Sequence, residues 1–230
     1  AVNEYGTPQG GVLSPLLANV YMDIMDEWVS SQWERKKTKT AYTRYDIKIT
    51  ALRERSNLIP GYLVRYADDF VIITDSRLHA ELWKQEIQEF LQKEMRLTLS
   101  LGKTAITDVR KNHIHFLGYE YKVVRGKSRT GYITRTRPDR DRLKLKVDSI
   151  AKAIKEIPPE TSREQAILQI NLINSQIRGL INYYENCTRI SNVMDKHAHR
   201  LQKVGKKRLK QYNGIWIQAN KTRNLMHVHS

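Results

Sequence analysis

The fold class follows from Leu63-Val64-Arg65-Tyr66-Ala67-Asp68-Asp69-Phe70-Val71-Ile72-Ile73. Two short apolar runs, 63–66 and 70–73, are separated by only three residues, which predicts a tight β-hairpin. Its tip carries two adjacent carboxylates, Asp68 and Asp69, which repel each other and lose solvation when they pack on a sheet. A cation relieves both costs, and such hard oxygen ligands suit Mg²⁺. An isolated Asp-Asp pair is usually an ordinary exposed turn, so the rest of the chain must decide between the two interpretations.

Four other segments accompany the acidic turn. They are Gly6-Thr7-Pro8-Gln9-Gly10-Gly11-Val12-Leu13-Ser14-Pro15-Leu16-Leu17-Ala18-Asn19, Leu101-Gly102-Lys103-Thr104, Phe116-Leu117-Gly118-Tyr119 and Gln176-Ile177-Arg178-Gly179-Leu180-Ile181-Asn182-Tyr183-Tyr184. Together with residues 63–70 they resemble, in the same order, sequence blocks of the reverse transcriptases encoded by group II introns. The last segment is similar to the signature of the maturase, or X, domain of that family. The resemblance spans nearly the whole chain.

The resemblance implies an α+β fold. We expect residues 1–137 to form part of a right-hand polymerase palm, an antiparallel sheet with helices, and residues 138–230 to form an all-α thumb bundle, the maturase X domain. Residues 34–60 are basic, polar and weakly periodic, which predicts a linker or exposed insertion within the palm.

The resemblance also implies a catalytic centre. Asp68 and Asp69 would be the catalytic residues and would hold two Mg²⁺ ions, as in two-metal nucleotidyl transfer. The family's third carboxylate lies in an earlier block, and this chain has no matching aspartate: Asp23 and Asp26 fall on a predicted helix and Asp46 in the insertion. We therefore expect the third ligand, and the fingers, to come from outside these 230 residues, and the chain alone to be inactive.

Further roles follow from the same likeness. Binding of the nucleotide and template is expected at Pro8, Gln9, Gly10, Gly11, Tyr66, Ala67 and Lys103, and a primer grip at Phe116, Leu117, Gly118 and Tyr119. Lys103 is alternatively a solvated lysine, and Phe116 and Leu117 are alternatively core residues.

Positive charge is concentrated in the second part of the chain. Residues 1–100 hold 13 Lys/Arg and 14 Asp/Glu, whereas residues 101–230 hold 27 and 10, and the whole chain carries a net charge of +16. Such asymmetry predicts a surface that binds a polyanion. Nucleic acid is favoured over an acidic membrane, because no lipid anchor or membrane span is evident. RNA-binding residues are predicted at Arg140, Arg142, Lys144, Lys146, Arg178, Lys203, Lys206, Lys207, Arg208 and Lys210.

Apolar spacing predicts helices at about 14–33, 78–91, 143–157, 162–184 and 192–212. Strands are predicted at 97–101, at 113–124 with a break at Gly118, and after Gly131. Ser14 is the expected N-cap of the first helix, with Pro15 in its first turn. A helix near residue 162 is expected to be capped by Thr161 with Glu164 or by Ser162 with Gln165. The single cysteine, Cys187, excludes an intrachain disulfide and predicts a buried thiol.

The sequence and the resemblance are compatible with two functions. The first is an RNA-directed DNA polymerase (reverse transcriptase) and maturase, a magnesium-dependent nucleotidyltransferase that copies group II intron RNA from a DNA primer with dNTP and assists RNA splicing of a mobile element. The second is a catalytically incomplete RNA-binding maturase module. Either would act in a bacterial cytoplasm or an organelle, with the missing N-terminal fingers and palm portion as a partner.

Overall fold

The computed structural model describes residues 12–158, 161–188, 190–209, 216–219 and 226–229. The chain divides into two compact units, Ala1–Asp108 and Val109–Ser230. It is a mixed α/β fold with small antiparallel sheets. None of the described helices has the length and apolar character needed to cross a membrane.

The first unit is built around the predicted hairpin. Its described elements are α1 (Ser14–Gln32), α2 (Tyr45–Arg55), β1 (Tyr62–Tyr66), β2 (Asp69–Ile73) and α3 (Arg77–Glu94). β1 and β2 pair antiparallel, with Tyr66 opposite Asp69, so only Ala67 and Asp68 form the turn. The predicted tight hairpin is therefore confirmed. Helix α3 begins where the Ser76 side chain accepts a hydrogen bond from the His79 backbone N–H, at 3.1 Å.

Helices α1 and α3 share one buried core. Met25 and Val29 of α1 pack with Trp83, Ile87 and Leu91 of α3. The ring of Trp28 stacks on that of Phe90, with centroids 4.2 Å apart, so this packing adds aromatic contact to apolar burial. The core fixes α1 beside the hairpin, because Leu63 and Phe70 of the two strands pack against the same cluster.

The N-terminal part of α1 departs from the sequence prediction. The helix begins at Ser14 itself, with Leu13 at the N-cap and no capping side chain on that residue, so the assignment of Ser14 as N-cap is wrong. Leu16, Leu17 and Val20 belong to the apolar spacing of this helix, and each of their side chains is more than half exposed. Exposed apolar side chains grouped at one end of a helix often mark a contact site for another protein segment.

Residues 34–60, for which a linker or an exposed insertion is predicted, include a helix with buried residues. They contain α2, and its Ile49 and Leu52 are buried together with Trp33. The sequence signal failed here because two buried positions among charged residues give almost no helical periodicity. The position of this segment as an insertion within a palm stays a prediction.

The predicted strand at residues 97–101 is absent from the described secondary structure. Leu97 and Leu99 are half-buried against the α1–α3 core, while Leu101 is exposed. The alternating apolar residues therefore reflect a segment that packs on the core with one side. A β-strand also requires a neighbouring strand to which its backbone is hydrogen-bonded.

Gly61 makes a close backbone approach to the core that a side chain would prevent. A Cβ at this position would overlap the buried indole of Trp83, and that indole is fixed because its Nε1–H donates to the Pro60 carbonyl at 3.0 Å. We expect Gly61→Ala to lower the free energy of unfolding by about 1–3 kcal/mol through overpacking. Gly102→Ala is the matched control, since a Cβ there meets nothing within 4 Å. Urea unfolding of both variants measures the difference, and equal stabilities would contradict this account.

The second unit begins with a three-stranded antiparallel sheet. It consists of β3 (Ile114–Phe116), β4 (Tyr119–Arg125) and β5 (Tyr132–Pro138), in that order. The β3–β4 turn at Leu117 and Gly118 and the strand after Gly131 agree with the sequence prediction. This sheet belongs to the same compact unit as the helices that follow it. The boundary between the two compact units therefore lies after residue 108. The palm–thumb division at residue 137 stays a prediction about function.

Three helices follow the sheet and surround one apolar core. They are α4 (Arg140–Lys155), α5 (Arg163–Tyr184) and α6 (Ile190–Leu209). Asp139 caps α4, and Ser162 caps α5 by accepting from the Gln165 backbone N–H, which decides between the two predicted caps. The core is made by Leu143, Val147, Ile150, Ala151, Ile154, Ile157, Ile170, Ile173, Ile177, Tyr184, Cys187, Met194 and Leu201.

The predicted thiol burial is confirmed, because Cys187 lies in this core and burial raises its pKa to about 11. The expectation that everything after residue 137 is helical is wrong. Strands β6 (Trp216–Ala219) and β7 (Met226–His229) pair antiparallel after α6. Four-residue strands are too short for an alternating pattern to stand out in a sequence.

Candidate functional site

The acidic turn presents both carboxylates to solvent. Tyr66, Ala67, Asp68 and Asp69 are all exposed, while most of the other strand residues behind them are half-buried. Ala67 has φ of 54°, in the left-handed region that residues with a Cβ seldom adopt. A backbone in such a conformation persists only where the surrounding structure holds it.

Arg65 holds this turn in place. Its guanidinium donates to the Ala67 carbonyl at 2.7 Å, and it forms a two-pronged ion pair with Asp26, with Nε–Oδ1 at 2.8 Å and Nη2–Oδ2 at 2.6 Å. A further bond goes to Asn19 Oδ1 at 3.0 Å. The side chain of Arg65 is only 12% exposed, and hydrogen bonding to Asp26 raises its pKa. The turn is thereby linked to α1 through charge-assisted hydrogen bonds, which are stronger than hydrogen bonds between neutral groups.

Sequence reasoning missed this anchor. Asn19 and Asp26 are seven residues apart on α1, which places them two helical turns apart on one face. Arg65 is the only cation in the apolar hairpin. A charged residue inside a predicted strand, with acidic and amide groups aligned on a nearby helix, was the available signal.

Asp68 and Asp69 lie side by side at the tip of the hairpin, and among the described residues no third His, Cys, Asp or Glu ligand atom clusters with theirs. Across the described residues, three neighbouring His, Cys, Asp or Glu groups occur in one cluster, made by His115, Glu120 and Asp139. In this cluster, Glu120 accepts from Arg137 Nε at 2.5 Å and Asp139 caps α4. Those carboxylates already have protein donors and serve the start of α4, so we assign no metal to them.

Only some of the other residues predicted to contact the nucleotide lie in the described part of the chain. Lys103 is exposed in a turn whose backbone N–H donates to the Ser100 carbonyl at 3.0 Å. Pro8, Gln9, Gly10 and Gly11 lie outside the described residues. The roles of all these residues stay predictions.

The predicted primer grip forms the tip of the β3–β4 hairpin. Leu117 and Gly118 both have positive φ, 51° and 74°, which is the turn geometry that suits a two-residue hairpin loop. Leucine is an unfavourable residue in that region. Tyr183 of α5 offsets this cost, since its hydroxyl donates to the Leu117 carbonyl at 2.6 Å, and the Tyr119 hydroxyl donates to the Tyr183 carbonyl. Phe116 is half-buried.

We expect Tyr183→Phe to lower the free energy of unfolding by about 1 kcal/mol, because the Leu117 carbonyl loses its hydroxyl donor while the aromatic ring remains. Tyr42→Phe is a suitable control, since the described part of the chain contains no hydrogen bond to the Tyr42 hydroxyl. Thermal unfolding compares the two variants, and an equal shift in both would show that the Tyr183 bond contributes nothing specific.

The predicted RNA-binding residues form two exposed groups on helices. Arg140, Arg142, Lys144 and Lys146 are exposed on α4, and Lys203, Lys206 and Lys207 on α6, with Arg178 exposed on α5. Arg208 differs, because it is half-buried and its Nε donates to the Ile157 carbonyl at 2.7 Å. Lys210 lies outside the described residues. Of the aromatic residues in this unit, Tyr183 is 53% exposed and Tyr184 is buried.

The acidic turn lies within a region of the chain that is similar to known proteins. Residues 2–121 match the family model described as reverse transcriptase (RNA-dependent DNA polymerase). The group II intron-encoded protein LtrA of Lactococcus lactis subsp. cremoris is 27% identical over 235 residues, 78% of this chain and 39% of that protein.

Two further relatives agree with this match. A putative COX1/OXI3 intron 1 protein of Saccharomyces cerevisiae is 26% identical over 243 residues, covering 83% of this chain and 29% of that protein. Protein YkfC of Escherichia coli is 33% identical over 133 residues, 55% of this chain and 34% of that protein. The matches thus cover less than half the length of these curated relatives. The resemblance to proteins encoded by group II introns is confirmed.

Proposed function

The chain belongs to the family of reverse transcriptases, the RNA-dependent DNA polymerases, and from this premise we propose that it is the palm and thumb portion of a group II intron-encoded enzyme. In this proposal the complete protein copies intron RNA into DNA from a DNA primer with dNTP, and it binds the intron RNA to promote splicing. Residues 1–137 act as the palm portion and residues 138–230 as the thumb. The protein works in a bacterial cytoplasm or an organelle.

One observation carries the proposal: Asp68 and Asp69 stand exposed on a turn whose backbone is fixed by Arg65. Phosphoryl transfer needs mainly positioning and neutralisation of charge. A turn that holds the two carboxylates in place without rearranging when substrate binds provides the positioning. The family match covers this turn.

The two carboxylates fit a divalent cation. They are adjacent hard oxygen ligands, open to solvent, which is what Mg²⁺ prefers over nitrogen or sulfur donors. Asp68 and Asp69 would hold two Mg²⁺ ions, which when bound favour ionisation of the primer 3′-hydroxyl and neutralise charge on the leaving group. Two side chains are a sparse ligand set, so we propose that the third carboxylate comes from polypeptide outside this chain.

The exposed apolar side of α1 supports a partner of that kind. Leu16, Leu17 and Val20 lie on the helix that anchors the acidic turn and are more than half exposed. Large exposed apolar patches mark contact sites for other protein segments. The missing fingers and first palm strands would cover this surface.

The remaining predicted roles complete the proposal. Tyr66, Ala67, Lys103 and residues 8–11 would contact the nucleotide and template, and residues 116–119 would grip the primer. Exposed cations on α4, α5 and α6 would bind RNA phosphates, because RNA helices are recognised mainly by shape and backbone.

We propose a second function as the alternative, because the described residues bring only two carboxylates to the acidic turn. In that alternative the chain is a maturase module that binds folded intron RNA without synthesis. The excess of positive charge after residue 100 suits it equally well.

Primer extension separates the two functions. A DNA primer annealed to an RNA template is incubated with dNTP and Mg²⁺, using the chain alone and the chain together with its upstream polypeptide, and Ca²⁺ replaces Mg²⁺ as a control. We expect synthesis only with the upstream polypeptide and Mg²⁺. Absence of synthesis in every mixture, with tight and salt-sensitive RNA binding, favours the second function. Absence of RNA binding at low salt would refute both.

A further inference from the structure

The β4–β5 hairpin carries a group of cations that the proposed RNA-binding helices do not include. Residues 121–138 contain six Lys/Arg and no Asp or Glu. Five of these cations form no ion pair within the described residues, and we call them the basic hairpin: Lys122, Arg125, Lys127, Arg129 and Arg135. The sixth, Arg137, is paired with Glu120 at 2.5 Å.

A like-charge pair lies at the centre of this hairpin. Lys122 and Arg135 are directly opposite each other in the β4–β5 register, an arrangement that destabilises a sheet. The nearest carboxylate in the ladder, Glu120, is engaged by Arg137 and by the Arg140 backbone N–H at 3.1 Å. Neither cation forms an ion pair with a described residue, and a bound polyanion would relieve their repulsion.

The pair lies on the side of the sheet that faces away from α5. Side chains alternate along a strand, and Tyr119 of β4 packs on Tyr183 of α5. Thr136 of β5 lies on the same side, where its neighbour is Thr188, four residues after the end of α5. Lys122 and Arg135 occupy the alternate positions, and Arg135 is exposed.

The tip of the hairpin is ordered by its own hydrogen bonds. The Gly131 backbone N–H donates to the Ser128 carbonyl at 3.0 Å, and the Ser128 hydroxyl donates to the Tyr132 carbonyl at 2.7 Å. Lys127 and Arg129 are therefore exposed on a preformed turn, which lowers the entropic cost of binding. The tip sequence, Gly126-Lys-Ser-Arg-Thr-Gly131, has no apolar residue to enter a membrane.

We propose that the basic hairpin is a separate RNA contact, which binds the phosphate backbone of an RNA helix. Lysine, arginine, serine and threonine are the residue types that contact phosphates, and such contacts position a helix without reading its sequence. This inference rests on the proposed RNA-binding function and adds to it a surface outside α4, α5 and α6.

The test compares salt dependence of binding to a fluorescent RNA duplex by anisotropy. The binding constant K falls as salt rises, and the steepness of log K against log salt measures the number of phosphates bound. The double variant Lys127→Ala with Arg129→Ala is expected to make this slope shallower by about 1 for each lost phosphate contact, about 2 in total. Lys39→Ala with Arg55→Ala removes the same charges from exposed sites of the first unit and should leave the slope unchanged. A slope equal to that of the unaltered chain overturns the inference alone. Absence of binding by the unaltered chain overturns the RNA-binding function with it.

Arg135→Thr gives an independent readout with opposite signs. It removes the like-charge pair and introduces a residue with high strand propensity, so the thermal midpoint should rise while the salt slope falls by about 1. An unchanged slope overturns the inference, whatever the midpoint does. A general loss of folding would lower both the midpoint and the affinity, so the two causes are distinguishable.

Discussion

Asp68→Asn is expected to reduce primer extension by the complete enzyme at least about 10²-fold, the scale of loss when a preorganised electrostatic group is removed. A neutral amide neither balances the charge of a divalent cation nor binds it as a carboxylate does. Asp68 is exposed, so the fold should tolerate the isosteric change. Single-turnover extension on an RNA template measures the rate, and RNA affinity should be unchanged.

Asp75→Asn is the matched control for this experiment. Asp75 is a carboxylate of the same unit, placed after β2, where it pairs with His79 at 2.6 Å. Its loss removes the same charge without touching the acidic turn, and the extension rate should stay close to that of the unaltered enzyme. Equal losses in both variants, or full activity of Asp68→Asn, would remove Asp68 from the proposed catalytic centre.

Arg65→Ala is expected to lower the free energy of unfolding by about 3 kcal/mol, because it leaves the Asp26 carboxylate with no partner beside a core. The same change releases the Ala67 carbonyl, so Ala67 loses the hydrogen bond that holds its unfavourable φ. Urea unfolding followed by tryptophan fluorescence reports mainly on this unit, since three of the four tryptophans, Trp28, Trp33 and Trp83, lie within it. Primer extension should fall further than stability alone explains.

Arg35→Ala provides the matched comparison. Arg35 also pairs with a carboxylate of α1, Glu27, through two bonds of 2.8 and 2.7 Å, but both side chains are more than half exposed. An exposed pair contributes only about 0.2–1 kcal/mol. If the two variants lost equal stability, burial would not explain the importance of Arg65. If Arg65→Ala kept full activity, the anchor would have no role in positioning the carboxylates.

Much of the local structure could be predicted from sequence, because the signals are local. The acidic hairpin, the Leu117-Gly118 turn and the helix that ends at Tyr184 each have short-range patterns of turn residues or apolar spacing. The helix α2 could not be predicted in this way, since only Ile49 and Leu52 are buried there. The expected strand at 97–101 failed for the opposite reason: the pattern was present, but the described chain supplies no partner strand.

The acidic turn shows the division between sequence and tertiary structure. The residues Tyr66-Ala67-Asp68-Asp69, with their apolar flanks and the four accompanying segments, determined the family and the position of the two carboxylates. Only the tertiary structure identified what holds them, because Arg65 and Asp26 are 39 residues apart and meet at 2.6 Å when α1 packs beside the hairpin. Likewise, only strand register placed Lys122 opposite Arg135. A sequence specifies which side chains are present and their local periodicity, whereas long-range pairs depend on how the elements pack.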